Sequence, residues 1–176
     1  MHVRNVAAFI LPFTLLGCGH SSPAAPSSTS IILNLAPGSY ALTLTMSRSG
    51  EPVCRNGICT ATSLCVGAGG PQTVTPFATV VRLERSRDAV TIRPEDPSAT
   101  LRLDLHIAGN TVDGTASGEF RDGALQISIA GGDGRTPAVA TGTVLAASVT
   151  GNIDGQVSTN GYACSNNGHT WAIAPL

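Results

Sequence analysis

The sequence contains no lysine, few aromatic residues and few charges of either sign. Its basic residues other than histidine are all arginine, and the arginines form neither a cluster nor a stripe. Because a nucleic-acid site requires concentrated positive charge, we expect no nucleic-acid partner. We interpret the missing lysine as genome composition rather than as part of a mechanism.

The sequence also lacks the common motifs of catalytic and metal sites. It has no Gly-x-Ser-x-Gly segment and no His/Glu cluster at metal-ligand spacing. His106 stands two residues from Asp104 on an expected outward strand face, which favours a solvated surface over an Asp-His pair. His169 ends the stretch Asn166–His169, which reads as a surface turn or cap. The glycine loop Gly131–Arg135 holds a single carboxylate, too few for calcium, and indicates a hairpin loop. We therefore expect no catalytic residue, cofactor or metal ion, and we do not expect an enzyme.

Long apolar runs are missing except near the amino terminus. Arg4 gives a positive start, and the run Val6–Leu16 follows, interrupted only by Pro12. An apolar run of about a dozen residues after a basic start indicates a secretory leader, and it is too short for a spanning helix. The leader ends in the segment Leu15–Cys18, which reads Leu-Leu-Gly-Cys.

That ending resembles the lipobox of bacterial lipoproteins, in which the cysteine is lipidated and becomes the mature amino terminus. The resemblance implies a signal peptide at residues 1–17, lipidation at Cys18, and the membrane as a partner through the attached acyl chains. Gly19 follows the cysteine, whereas retention in the inner membrane favours Asp there. We therefore expect a lipid anchor in the cell envelope, in the outer membrane if the host has two, on its periplasmic face or at the surface. The alternative is an ordinary signal peptide that contains a cysteine.

Four further cysteines follow this segment. An exported chain meets an oxidising compartment, so an even number of cysteines favours two disulfides and leaves three connectivities open. A zinc site built from these thiols and His169 is the alternative, which export disfavours. The four cysteines are Cys54, Cys59, Cys65 and Cys164.

The sequence between Cys54 and Cys59 favours a disulfide between these two cysteines. Asn56-Gly57 is the strongest short signal for a type I′ hairpin turn, and such a turn would place Cys54 directly opposite Cys59. In that register the pair is of the non-hydrogen-bonded kind, within reach of a disulfide. Cys65 is then left to pair with Cys164, which would tie the loop after the first strand to the end of the chain.

The mature chain divides into a tether and a strand-rich domain. Residues 18–36 are rich in serine, proline and alanine and cannot bury enough apolar surface to fold. Residues 37–176 show apolar and polar residues in alternation, most cleanly from Leu101 to Ile107. Short connections predict an antiparallel meander of eight or nine strands that ends in a short strand at Trp171. We expect an all-β fold, an eight- to nine-stranded up-and-down barrel, with a two-sheet β-sandwich as the alternative.

Small residues in phase on the strands, the opening Gly38-Ser39-Tyr40, and Cys164 shortly before the last strand resemble the lipocalin-like meander domains of bacterial lipoproteins. The resemblance covers roughly Pro37 to Leu176. Lipocalins themselves open on Gly-x-Trp, and Tyr40 takes that aromatic position here. The resemblance implies a barrel that can hold a small apolar ligand. We expect it to be monomeric.

Glycines on the apolar face, such as Gly114, Gly151 and Gly155, leave two interpretations open. Missing side chains could leave room for a ligand, or they could permit tight coiling, which we favour. Two functions follow: a tethered module that binds a small hydrophobic molecule, or a structural or interaction lipoprotein without a ligand cavity. The residues expected to line the interior are Leu42, Leu44, Val81, Leu103, Leu105, Ile127 and Ile153.

Overall fold

The segments in which apolar and polar residues alternate form the strands of a β-sheet. A computed structural model describes residues 35–48, 53–60, 64–67, 76–123 and 125–176. All regular secondary structure in these ranges is β-strand, as the period of two predicted. No helix within them has the length and hydrophobicity needed to cross a bilayer. The strands are β1 (Gly38–Thr45), β2 (Val53–Arg55), β3 (Ile58–Thr60), β4 (Leu64–Gly67), β5 (Phe77–Ser86), β6 (Ala89–Pro94), β7 (Arg102–Ala108), β8 (Thr111–Asp122), β9 (Leu125–Ala130), β10 (Ala138–Leu145), β11 (Ser148–Thr159) and β12 (Tyr162–Pro175).

The leader at residues 1–17, the lipidation site Cys18 and the tether as far as residue 34 lie outside the described residues and stay predictions. Leu35, near the end of the expected tether, is buried in the hydrophobic core. The Arg85 guanidinium donates a hydrogen bond to the Leu35 carbonyl oxygen at 3.2 Å.

Ten strands form one antiparallel sheet that closes into a ring. The ring has eight positions, because two of them each hold two strands placed end to end. β1 pairs with β12 on one side and β5 on the other, so Leu42 lies opposite both Ile173 and Thr79. From β5 to β8 each strand pairs with the next along the chain, and β11 pairs with β12. The predicted all-β antiparallel sheet is therefore confirmed, but the described residues form twelve strands rather than the eight or nine predicted.

Two of the eight positions are each shared by two collinear strands. β9 and β10 both pair antiparallel with β8 and with β11, β10 against Thr111–Ala116 and β9 against Gly118–Asp122 of β8. They run in the same direction, separated by residues 131–137. The prediction of a hairpin loop at Gly131–Arg135 is wrong, because a hairpin would reverse the chain. The loop instead leaves the line of the strand and returns to it.

Asp133 holds that loop together. Its carboxylate accepts hydrogen bonds from the backbone N–H groups of Arg135 and Thr136 at 2.9 Å and from the Thr136 hydroxyl at 2.8 Å. These bonds lower the pKa of Asp133 because they favour the charged form.

β1 and β4 share the second divided position. β11 covers one edge of β12, and on the other edge β1 pairs with Thr170–Pro175 while β4 pairs with Tyr162–Ser165. The chain therefore leaves the ring after β1 and returns at β4. In this register Cys65 lies opposite Cys164, and the two form a disulfide with Cα atoms 4.0 Å apart. The predicted Cys65–Cys164 pairing is confirmed.

The hairpin β2–β3 lies in the excursion between β1 and β4 and turns at Asn56-Gly57. Both turn residues have positive φ, 50° and 78°, which is the signature of the predicted type I′ turn. The register places Cys54 opposite Cys59. Their side chains lie outside the described part of the structure, so this second disulfide stays a prediction.

The final strand differs most from expectation. β12 runs for 14 residues, whereas the sequence predicted a short strand preceded by a turn at Asn166–His169. Within the segment read as a turn, Asn166 pairs with Gly155 and His169 pairs with Ile153 of β11, with a register shift between the two pairs. Tight bends do occur where predicted, at Arg87-Asp88 and Gly109-Asn110.

Candidate functional site

The seven residues predicted to line the interior all lie inside the ring. Each is buried, and all belong to one hydrophobic cluster. Phe77 and Phe120 add an edge-to-face contact to this cluster, with ring centroids 5.0 Å apart. The seven are Leu42, Leu44, Val81, Leu103, Leu105, Ile127 and Ile153.

Trp171 accounts for two of the interior glycines. Gly151 lies opposite Trp171 in the register, and Gly142 lies opposite Gly151. A Cβ at Gly151 would lie 2.7 Å from the indole Nε1, and one at Gly142 would lie 3.2 Å from the indole Cζ2. The indole therefore occupies the space that two side chains would need, and its N–H donates to the Thr141 carbonyl oxygen at 3.1 Å.

Other glycines of the apolar face permit close contact between strands. A Cβ at Gly114 would lie 2.8 Å from Leu105 Cα, and one at Gly155 would lie 2.6 Å from Ala138 Cβ. Such distances leave no room for a side chain. The coiling interpretation, with the addition of the buried indole, thus describes these positions better than the interpretation as ligand space.

The outer surface of β1, β12, β11 and β10 carries a threonine groove. Because the strands are in register, outward residues form two rows of four across the sheet. Six of the eight are threonines. The first row is Thr43, Ala172, Thr150 and Thr143, and the second is Thr45, Thr170, Asn152 and Thr141.

The groove between and around these rows is open to solvent and has a volume of about 640 Å³. The backbone of Gly142 and Gly151 forms its floor, and the buried indole of Trp171 lies beneath them. None of the described residues that line it carries a charge. The charged surface begins next to the groove. Asp154 lies two residues after Asn152 on β11, and Asp113 on β8 pairs with Thr141. Hydroxyl and amide groups, methyl groups and exposed backbone are therefore what the groove offers a ligand.

The opposite half of the ring has a charged exterior. Ion pairs join Arg93 to Glu84, Arg102 to Asp104 at 2.6 Å, and Arg121 to Glu119 at 3.9 Å. These pairs lie on β5 to β8, and each is well exposed, so each contributes little to stability. Charged and uncharged outer surfaces are thus segregated around the ring.

His106 belongs to that charged half. Its Nδ1 lies 4.0 Å from a carboxylate oxygen of Asp113, and both side chains are exposed. Asp104, two residues away, instead contacts Arg102 and accepts a hydrogen bond from the Thr91 hydroxyl at 2.9 Å. The interpretation of His106 as part of a solvated strand face is confirmed.

A buried polar corner lies where β1 leaves the sheet. The Ser47 N–H donates to His169 Nδ1 at 2.9 Å, and the Asn166 side-chain amide donates to the Ser47 carbonyl oxygen at 2.7 Å. These two side chains on β12 bond the backbone between the collinear strands β1 and β4. They replace the ladder hydrogen bonds that a continuous strand would make there.

His169 is buried, and the prediction of a surface or capping residue is wrong. Its Nε2 lies 3.0 Å from the Cys164 carbonyl oxygen, so Nε2 carries the proton and Nδ1 is the acceptor. Burial lowers the pKa of His169, against smaller opposing effects from the Cys164 and Gly155 carbonyls and from Asp154. The alternative zinc site loses two of its thiolates to the Cys65–Cys164 disulfide.

The threonine groove was not predicted, although the sequence carries a signal for it. Threonine recurs with a second small or polar residue two positions later on all four strands, at Thr43-x-Thr45, Thr141-x-Thr143, Thr150-x-Asn152 and Thr170-x-Ala172. That spacing places both residues on one face of a strand. Only the register reveals that the four pairs are adjacent.

The sequence matches no protein-family model, and it matches neither a curated protein nor a solved structure. Its geometry therefore carries the functional argument.

Proposed function

We propose that this chain is a lipid-anchored lipoprotein of the bacterial cell envelope that acts through its outer surface. The leader and Cys18 support the anchor, and the Cys65–Cys164 disulfide fits an oxidising compartment. The finer description of the ring is a small lipocalin-like barrel, supported by the meander order and by its closure through β1 and β12.

One observation carries the choice of the outer surface. The residues of the interior pack against one another in a single cluster, and Trp171 fills the space beside Gly142 and Gly151. Side chains packed in this way stabilise the fold rather than line a space for a ligand. The groove outside, by contrast, has solvent-accessible polar groups available for a partner.

The second candidate function is the binding of a small apolar molecule in the interior. The uniformly apolar wall formed by residues such as Leu42, Leu103 and Ile153 favours it. Such a ligand would require the core side chains to move apart.

The anchor is tested by replacing the cysteine. Cys18→Ser should abolish incorporation of labelled palmitate in the native host and release the chain from the membrane fraction, because the acyl chains are the expected anchor. Gly19→Asp is the matched control, since it retains the cysteine and changes only the sorting signal. A Cys18→Ser chain that stays in the membrane fraction would refute the anchor.

The choice between the two candidates is tested by native mass spectrometry of the full chain purified from its host. The outer-surface proposal predicts a mass equal to that of the acylated polypeptide. A stoichiometric co-purifying lipid, lost in a Leu103→Arg variant that remains folded by circular dichroism, would favour the interior-binding alternative.

A further inference from the structure

We infer that the threonine groove binds a neutral oligosaccharide. The inference deepens the proposed function by naming the partner class, and it rests on that proposal only in assigning the outer surface as the binding surface. The groove geometry does not depend on lipidation.

The chemistry of the groove lining matches that of a sugar. Threonine hydroxyls donate and accept hydrogen bonds, and the Asn152 amide does both as well. Each threonine also presents a methyl group. A sugar ring carries hydroxyl groups at its edges and C–H groups on its faces, so the two surfaces match in both respects.

The absence of charged side chains among the described lining residues favours a neutral ligand. The described lining residues are uncharged, whereas the outer surface of β5 to β8 carries arginines and carboxylates. An anionic polymer would require arginine, and a cationic peptide would require a carboxylate within the groove. Neither is present among the described lining residues. A neutral polar ligand is the complement of this surface.

The open shape and the regular spacing of the groove suit an extended, repeating ligand. The groove is open to solvent and has a volume of about 640 Å³, whereas pockets for small molecules enclose most of their ligand. Rows of side chains repeat at about 4.8 Å between strands and about 6.8 Å along each strand. A repeating polymer can contact such a lattice with successive units, which a compact single metabolite cannot.

The test uses the full chain in a polyoxyethylene detergent, since detergents with sugar headgroups would compete. Chitotriose, cellotriose and maltotriose are the first probes, followed by an array of neutral glycans, with trigalacturonate as the charged comparison. Calorimetric titration measures binding, and the fluorescence of Trp171, the only tryptophan of the chain, is a second signal because its buried indole lies beside Gly142 and Gly151 beneath the groove. We expect at least one neutral glycan to bind and trigalacturonate to bind more weakly or not at all.

Variants locate the binding. Thr143→Val with Thr150→Val removes two adjacent hydroxyls and preserves shape, and it should weaken binding roughly tenfold, since each hydrogen bond contributes a severalfold factor. Thr143→Ser with Thr150→Ser retains the hydroxyls and should keep most of the affinity. Thr115→Val, an exposed outward threonine on β8 outside the groove, is the matched control and should have no effect.

Three outcomes would overturn the inference: no binding to any neutral glycan of the array, equal binding by trigalacturonate, or unchanged affinity in the valine double variant. Each of these is separable from failure of the anchor, because the Cys18→Ser experiment reads out location and this one reads out binding. Circular dichroism on each variant confirms that lost binding is not lost folding.

Discussion

Gly151 shows how much a missing side chain can determine at the scale of a single residue. Its position is inside the ring, where an apolar side chain would ordinarily add to the core. The indole of Trp171 uses that space instead, and one large aromatic group replaces the side chains of two neighbouring strands. Glycine and tryptophan therefore form one packing unit.

The first prediction concerns that unit. Gly151→Ala should lower the free energy of unfolding by about 2–3 kcal/mol, because overpacking a rigid site is costly. Its Cβ would collide with the Thr141 carbonyl oxygen and lie 2.7 Å from both Gly142 Cα and the indole nitrogen. Urea unfolding followed by Trp171 fluorescence measures the change.

Gly38→Ala is the control for this prediction. A Cβ there would meet nothing within 4 Å. We expect its stability to be unchanged or slightly higher, since alanine restricts the unfolded chain. Equal losses in the two variants would contradict the packing explanation.

The second prediction concerns His169. Burial lowers its pKa in the folded protein, so the unfolded chain takes up the proton first as the pH falls. The contribution to stability is complete above the ordinary histidine pKa of about 6.5. It is lost as the pH decreases from there through the lowered folded value. Protonation would also put a hydrogen on Nδ1, which now accepts the hydrogen bond from the Ser47 N–H, so that bond would be lost.

Urea unfolding at pH 7.5 and at pH 5.5 should therefore show a smaller free energy of unfolding at the lower pH. His169→Gln retains a donor and an acceptor but does not titrate, and it should remove most of this difference. His106→Gln, at an exposed site, should leave the difference intact. A His169→Gln protein with the full pH dependence would show that other groups cause it.

At the scale of elements, two-residue turns set the register of the ring. Asn160-Gly161 joins β11 to β12 with positive φ at both residues, and the Asn160 side-chain oxygen accepts a hydrogen bond from the Gln126 N–H at 3.0 Å. The turn between β10 and β11 is less well suited to its residues. Ala146 adopts φ 56° there, a conformation in which its Cβ is crowded.

The third prediction follows from this turn. Ala146→Gly should raise the free energy of unfolding by about 0.5–1 kcal/mol, because relief of the crowded conformation exceeds the entropy that glycine loses. Ala147→Gly, at the next residue of the same turn and without positive φ, should instead be destabilising. Thermal unfolding of both variants tests the difference in sign.

The strands were predictable where one face is apolar and the other polar. The alternation at Leu101–Ile107 and the Asn56-Gly57 signal both depend on local rules, and both predictions were confirmed. The length of β12 was not predictable, because asparagine and glycine usually mark turns. In Asn166–His169 the polar side chains bond the Ser47 backbone, a partner more than a hundred residues away in sequence.

At the scale of the whole molecule, the Cys65–Cys164 disulfide holds the returning strand β4 against β12. The bond closes a loop with a sequence separation of 99 residues. It therefore restricts the unfolded chain far more than the predicted Cys54–Cys59 bond, which would span one short hairpin.

The fourth prediction compares the two bonds. The Cys65→Ser/Cys164→Ser double variant should lose about 4 kcal/mol or more of unfolding free energy, whereas Cys54→Ser/Cys59→Ser should lose only about 2 kcal/mol, from the lengths of the closed loops. Denaturant unfolding of both variants under non-reducing conditions provides the measurement. A larger loss in the hairpin variant would show that loop length does not govern their contributions.

The candidate site was only partly predictable at this scale. The sequence predicted the interior set, because burial follows from alternation. The groove depends on four strands that meet only after the ring closes, and T-x-T spacing on one strand does not identify its neighbours. Closure joins β1 to β12, the most distant strands in the chain.

The divided position of β9 and β10 has a consequence for engineering. Lengthening a two-residue turn would shift the register of the strands that it joins. Residues 131–137 instead connect the collinear strands β9 and β10, and the register of both is already set by their pairing with β8 and β11. Extra residues inserted there should leave every strand pairing in place, since long surface loops are tolerated at small entropic cost. An epitope tag or a foreign domain could be grafted at that point, and the ring would serve as its scaffold.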